Sequence, residues 1–168
     1  MNKLIYPNSS PGDQIDNYHG TLVPDPYHWL EDVDSPETLS WINAQNKLTF
    51  EYLEALPERE KIRQRLTELW DFPKALAPLR RGGRYFQLRN RGLQNQDVLY
   101  VLDSMDADPK ELLDPNRLST DGTVALTEWS VSKDGRWLAY ATSASGSDWL
   151  TWRVRDINTG ADMPDVIE

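Results

Sequence analysis

The chain has 168 residues, 39% of them hydrophobic and 10% aromatic, enough apolar material for one ordinary folded domain and too much for a disordered segment. Its formal charge is −9, from 18 basic against 27 acidic groups, which argues against a nucleic-acid partner held by counterion release. It has no cysteine, which excludes disulfides and thiolate metal sites, and no run of about 18 apolar residues to span a bilayer.

The opening MNKLIYPNSSPGD lacks the apolar centre of a secretory signal, so the expectation is a soluble cytoplasmic protein with neither a membrane nor a nucleic-acid partner. Charge is unevenly spread: the first 72 residues carry 13 acids against 6 bases and the rest 14 against 12, as expected of two differently built segments. Within residues 1–34, Pro7, Pro11, Gly12, Gly20, Pro24 and Pro26 forbid a long helix and favour an extended arm. Tyr18, Tyr27, Trp29 and Leu30 are large groups in a segment too irregular to bury them against itself, and they read as anchors for a partner surface.

His19 and His28 are the only histidines. They are not spaced as a helical metal pair and no nucleophile elbow accompanies them, so each reads as an orienting hydrogen bond or an exposed ring. Asp25, Glu31, Asp32, Asp34 and Glu37 lack the glycine and alternating spacing of a calcium loop and read as solvated charge and helix-start electrostatics.

Ser35-Pro36-Glu37 is a helix start, with a capping serine, a first-turn proline and an acid at the positive end of the dipole. Leu39, Ile42, Thr49, Leu53 and Leu56 follow one helical stripe, flanked by Trp41, Leu48 and Tyr52, until Pro57 ends it. A second helix is expected from about Glu58 to Trp70, with Ile62, Leu66, Leu69 and Trp70 on one face and Glu58/Lys61, Glu60/Arg63 and Arg65/Glu68 as ion pairs on the other. Residues 1–72 contain no convincing sheet for these faces to cover, so their partner is expected elsewhere.

Asp71-Phe72-Pro73 marks the change from helical to strand period, giving segments 1–71 and 72–168. From Lys74 to Arg91 the bases Lys74, Arg80, Arg81, Arg84, Arg89 and Arg91 occur without an acid; they read as a solvated or interface-pairing face rather than a nucleic-acid patch. Strands are expected at Arg84 to Asn90, Val98 to Asp103, Val124 to Trp129, Trp137 to Ala141 and Trp149 to Val154, with a polar connection from Asp106 to Asp121. Gly83-Arg84-Tyr85-Phe86 matches Gly135-Arg136-Trp137-Leu138, and Arg84 to Arg136 is 52 residues, Asp103 to Asp156 53. A repeat of about 50 residues built from strands is a propeller-blade period. Blades at about 72–123 and 124–168 follow, and since two cannot close a ring, an incomplete fold is expected. The loop from Ser143 to Trp149 carries more small polar groups than a plain hairpin turn needs.

No G-x-S-x-G elbow, H-E-x-x-H pair, Walker A loop or dinucleotide-binding glycine fingerprint occurs, so catalytic, cofactor and metal residues are all expected to be none. On the residues alone the chain is an arm and two helices joined to the opening blades of a propeller. A stand-alone binding module whose blades assemble between chains remains open beside a piece of a larger enzyme.

Several motifs taken together resemble a known family. They are Tyr18-His19-Gly20, DPYHWLED from Asp25 to Asp32, Ala44-Gln45-Asn46-Lys47, Arg65 to Leu69, GLQNQ from Gly92 to Gln96, Leu99-Tyr100-Val101, DGTVAL from Asp121 to Leu126 and SASGSDW from Ser143 to Trp149. In this order they resemble the N-terminal part of the prolyl oligopeptidases, over nearly the whole chain. The resemblance implies a serine endopeptidase acting on short peptides at the carboxyl side of proline. It implies an α/β-hydrolase domain built from both chain ends and a seven-bladed propeller inserted between them. Residues 1–71 are then the N-terminal contribution to the hydrolase domain, and 72–168 the first two blades. The family's Ser, Asp and His lie in the C-terminal hydrolase part, so none is carried over here and this chain alone is expected to be inactive. The resemblance further implies that Asp148 and Trp149 lie towards the hydrolase domain, where an acid pairs with an arginine near bound peptide. A relative cleaving after basic or acylated residues stays possible, although LQNQ from Leu93 to Gln96 and SGSDW from Ser145 to Trp149 favour the proline-specific branch.

Overall fold

In the computed structural model, which describes residues 4–168, the proline-rich start forms a hairpin rather than only an extended arm. Strand β1 (Ile15–Tyr18) pairs antiparallel with β2 (Thr21–Pro24) across a two-residue turn. His19 (φ 54) and Gly20 (φ 97) both take the left-handed region, as such turns require. The Asn17 carboxamide oxygen accepts from the Gly20 N–H at 2.7 Å. A short 3-10 turn, His28–Glu31, follows.

Helix α1 (Pro36–Glu54) begins as its sequence dictates: the Ser35 hydroxyl accepts from the Thr38 N–H at 3.2 Å, and Pro36 occupies the first turn. The Thr38 hydroxyl, buried, donates to the Trp29 carbonyl at 2.8 Å. Trp29 packs edge-on against Trp41, ring centres 6.3 Å apart at 85°. The two indole N–H groups donate to the Ser10 carbonyl (3.1 Å) and the Ser9 hydroxyl (2.8 Å). Trp29 thus finds much of its partner inside the N-terminal segment, whereas Tyr18 and Tyr27 stay exposed. Helix α2 (Arg59–Trp70) carries the expected Glu60–Arg63 (2.6 Å) and Arg65–Glu68 (3.1 Å) pairs. Leu39, Leu53, Ile62, Leu66 and Leu69 are all exposed.

Two compact units divide at Gln64 and Arg65. The second unit is built from strands β3 (Lys74–Ala75), β4 (Leu79–Arg81), β5 (Arg84–Asn90), β6 (Val98–Leu102), β7 (Lys110–Leu113), β8 (Val124–Val131), β9 (Trp137–Ala144), β10 (Thr151–Asp156) and β11 (Asp162–Ile167). One sheet runs β3-β5-β6-β7 with β4 also on β5, and the other β11-β10-β9-β8, all antiparallel. β3 and β4 are two halves of one edge strand: Leu76 still donates to Leu88 O (3.0 Å), but Pro78 has no N–H to continue the ladder. The repeat seen in the sequence is the corresponding hairpins β5/β6 and β9/β10, with Tyr85 opposite Leu102 and Trp137 opposite Asp156.

The inner faces of the two sheets meet in a core of Phe86, Leu99, Val101, Leu112, Leu113, Val131, Leu138, Tyr140 and Ile157. Their turns meet too. The Gly82 N–H donates to Lys133 O at 3.2 Å, and a Cβ on Gly82 (φ +53) would lie 2.0 Å from Asp134 O, so only glycine fits. Arg84 donates to the Gly135 carbonyl and, at 3.0 Å, to the Asn158 carboxamide oxygen. Gln96 uses its carboxamide to continue the β8 edge, donating to Val124 O (2.6 Å) and accepting from Leu126 N (3.0 Å).

Several sequence expectations are corrected here. The polar connection contains strand β7, the strand expected at Trp149–Val154 is Thr151–Asp156 and is followed by a further strand, Asp162–Ile167, and Ser143 and Ala144 belong to β9 rather than to the loop.

Candidate functional site

The β9–β10 connection carries the two residues the sequence singled out. Ser145 (φ 51) and Gly146 (φ 75) turn the chain, and the Ser147 N–H closes the turn on Ala144 O at 2.9 Å. The serines hold backbone: the Ser143 hydroxyl donates to Ser147 O (2.6 Å), and the Ser147 hydroxyl accepts from Trp149 N (3.1 Å). The Ser145 N–H donates to Thr123 O at 3.0 Å, tying the turn to the start of β8. This leaves Asp148 exposed, with no hydrogen-bond or ion-pair partner among the described residues, beside an indole that is 84% exposed at Trp149. A fixed turn thus presents one carboxylate, able to take a cation or a hydrogen-bond donor, and one flat apolar ring.

The Lys74–Arg91 bases are largely engaged. Lys74 sits over the Trp70 and Phe72 rings (4.8 and 4.9 Å) and donates to Gly92 O (2.9 Å), and Arg80 lies over Tyr85 (5.9 Å). Arg89 donates to the Gln87 carboxamide oxygen at 2.8 Å. Of these bases, Arg84 is the one whose side chain bonds to the turns of the other sheet.

His19 lies in the hairpin turn and His28 in the 3-10 turn. His28 Nδ1 is 3.1 Å from Asp25 Oδ2 and 3.5 Å from Glu31 Oε2, and these two acids raise its pKa above the ordinary 6.5, Asp25 first by its hydrogen bond. This is the orienting hydrogen bond expected of it. The hairpin register also brings Asp16 near, so that ligand atoms of Asp16, Asp25 and His28 lie within 4.8 Å of one another. Sequence reading missed this grouping because Asp16 and Asp25 are joined only by strand pairing.

A charged lock between the sheets was not foreseen from the sequence. From β10, Arg155 donates to both oxygens of Asp162 (2.7 and 2.9 Å) and, across to the other sheet, to Leu112 O (2.9 Å). The Tyr140 hydroxyl donates to Asp162 Oδ2 at 3.0 Å, and its ring lies 5.4 Å from the Arg155 guanidinium. Arg155 holds the Asp162 carboxyl below its ordinary value, while burial, followed by the Asp162 bond, pushes the Tyr140 phenol up.

A sequence profile described as "Prolyl oligopeptidase, N-terminal beta-propeller domain" matches residues 7–168. The chain belongs to the prolyl oligopeptidase family. A prolyl endopeptidase of Elizabethkingia meningoseptica is 36% identical over 166 residues, 99% of this chain and 23% of that protein. A prolyl oligopeptidase A of Amanita bisporigera is 37% identical over 169 residues, 92% of this chain and 22% of its own length. Among solved structures, one from a study of two prolyl endopeptidases and their inter-domain dynamics superposes with a TM-score of 0.83 at 38% identity, covering 98% of this chain and 24% of that one. Prolyl oligopeptidase B from Galerina marginata, bound to a 35mer hydrolysis and macrocyclization substrate, superposes with a TM-score of 0.76 at 28% identity, covering 98% of this chain and 26% of that one. The chain therefore spans under a quarter of the length of the curated relatives it matches. Its two helices and antiparallel sheets fit the N-terminal propeller region of the prolyl oligopeptidases. Among the described residues no helix is long and apolar enough to cross a membrane.

Proposed function

We propose that these residues form the N-terminal part of a cytoplasmic serine endopeptidase that hydrolyses short peptides on the carboxyl side of proline. The observation that carries this is the match over nearly the whole chain to prolyl endopeptidases, in sequence and in backbone. Residues 1–71 then belong to the α/β-hydrolase domain, and the two sheets are the first two blades, about 72–123 and 124–168, of a seven-bladed propeller. The exposed apolar residues of α1 and α2 support this division, since Leu53, Ile62, Leu66 and Leu69 need a second layer to cover them. The Ser, Asp and His that perform acyl transfer belong to the C-terminal hydrolase part of the longer enzyme, and this chain by itself is inactive.

In this reading the β9–β10 turn faces the hydrolase domain. Asp148, without a partner among the described residues, pairs there with an arginine beside the bound peptide, and Trp149 covers the peptide or the domain seam. The role is positional: it holds substrate and domains in register for attack. The test is hydrolysis of a chromogenic Gly-Pro peptide by the full-length enzyme and by Asp148→Asn. A several-fold rise in KM or fall in kcat is expected with unchanged thermal stability. No prolyl hydrolysis by the full-length enzyme overturns the reading, and wild-type kinetics for Asp148→Asn removes the role of the turn.

A further inference from the structure

A cavity of about 350 Å³ opens beside the sheet core, lined by Leu118, Val124, Tyr140, Thr142, Thr151 and Arg153, among others. It lies at the end of the second sheet that carries the β9–β10 turn, where Val124 is opposite Ala144 and Thr151 opposite Thr142. On β10, Arg153 and Arg155 alternate onto the same face, yet they are treated very differently. Arg155 has three acceptors and an aromatic face. Arg153 is half-buried and has no hydrogen-bond or ion-pair partner among the described residues. The nearby acid, Asp162, is bonded at both oxygens by Arg155 and at one also by Tyr140, and it reaches Arg153 through charge attraction without a hydrogen bond. Two arginines against one aspartate leave this spot positive in a chain whose net charge is −9. The remaining polar lining is the Tyr140, Thr142 and Thr151 hydroxyls, the Thr142 bond to Thr151 O being long at 3.5 Å, and the Asp162 carboxylate that Arg155 already holds. A planar guanidinium flanked by hydroxyls, with apolar Leu118 and Val124 beside them, suits a carboxylate on a short apolar stem.

We propose that this cavity is a carboxylate-binding subsite anchored by Arg153. The carboxylate is either the C-terminus of a peptide held by the enzyme or a free small carboxylate, and only the first source rests on the peptidase reading above. The test compares full-length enzyme with Arg153→Gln and Arg153→Lys, using a prolyl peptide as free acid and as C-terminal amide. N-acetylglycine, with its amide as control, is the stability probe. For a peptide C-terminus, the wild type favours the free acid in KM by about tenfold, the scale of one charge-assisted pair. Arg153→Gln abolishes that preference without changing the amide's kinetics, and Arg153→Lys keeps part of it. For a free carboxylate, N-acetylglycine but not its amide raises the wild-type Tm, Arg153→Gln loses the shift, and the two peptides behave alike. Equal KM for acid and amide in the wild type, together with no carboxylate-dependent Tm shift, overturns the proposal, and these wild-type readings decide even if a variant misfolds. An enzyme that cleaves no prolyl peptide refutes the peptidase reading, while the N-acetylglycine arm still decides the subsite.

Discussion

In the unit from Arg65 to Glu168, Phe86, Leu99 and Leu138 are wholly buried, whereas among residues 4–64 Thr38 is the one buried residue and Phe50 and Tyr52 are about half exposed. Both regions are rich in large apolar side chains. The difference is layers: two sheets turn their inner faces to each other, while the helices present stripes with nothing of equal size opposite. Apolar patterning states that a face wants covering; topology decides whether the same stretch of chain can cover it.

The comparison breaks first on core truncation. Phe86→Ala should cost about 3–5 kcal/mol in urea unfolding of the chain, because a buried ring leaves a cavity between two sheets. Ile62→Ala on α2, where the side chain is 56% exposed, should cost under about 0.5 kcal/mol in the same chain. In the full-length enzyme the Ile62→Ala cost should rise several-fold if a hydrolase sheet covers α2. Equal costs for the two substitutions in the chain would mean that the contrast between the units is wrong.

A second contrast uses two glycines, one in each unit. Gly82→Ala places a methyl group into the Asp134 backbone and forces an L residue to φ +53, so a loss above about 2 kcal/mol is expected. Gly20→Ala in the hairpin meets nothing within 4 Å and should lose only the backbone component, about 1 kcal/mol. Thermal unfolding of both variants checks the order, and a Gly20 effect as large as that of Gly82 contradicts the close turn-to-turn packing.

What was legible in the sequence follows the same division. Ser35-Pro36-Glu37 announced α1 because capping is local chemistry, and Gly83-Arg84-Tyr85-Phe86 announced the repeat because central strands are apolar and evenly spaced. Strand β11, exposed throughout, and β7, with two exposed residues, were missed because an edge strand needs no apolar period. The hairpin β1/β2 was hidden by its prolines, although His19-Gly20 was the available signal. At the candidate site, the small polar groups marked the loop, and Asp148 and Trp149 within it came only from the family resemblance. The sequence could not point to Arg153, whose distinction from Arg155 lies wholly in which one Asp162 reaches across the strands.

The inter-sheet lock gives a smaller effect with a pH signature. Arg155 depresses the Asp162 carboxyl below its ordinary 3.8, so its stabilisation is present above that value and is lost as pH falls through the lower folded value. Asp162→Asn should cost about 1–2 kcal/mol at pH 7 and flatten the fall in stability below about pH 4. Urea midpoints from pH 7 to pH 3 measure both. An Asn variant with the wild-type acid slope would mean that Asp162 carries none of it.

The smallest effect belongs to the N-terminal unit, where charges act in water rather than between sheets. Asp25, and after it Glu31, raise the His28 pKa above 6.5, so their contribution to stability is fully present below that pH and is lost as pH rises through the higher folded value. Because the His28 side chain is 47% exposed, solvent screening keeps the stability change small, and the proton itself is the better reporter. Imidazole NMR shifts should titrate above 6.5 in the wild type and move down in Asp25→Asn, more than in Glu31→Gln. Added Zn²⁺ tests the Asp16, Asp25 and His28 grouping in the same spectrum: perturbation of the His28 signals lost in both Asp16→Asn and Asp25→Asn would mark a shared ligand set. An unshifted His28 pKa would mean that the 3-10 turn does not hold its imidazole against Asp25, leaving the hairpin and the turn coupled only through backbone.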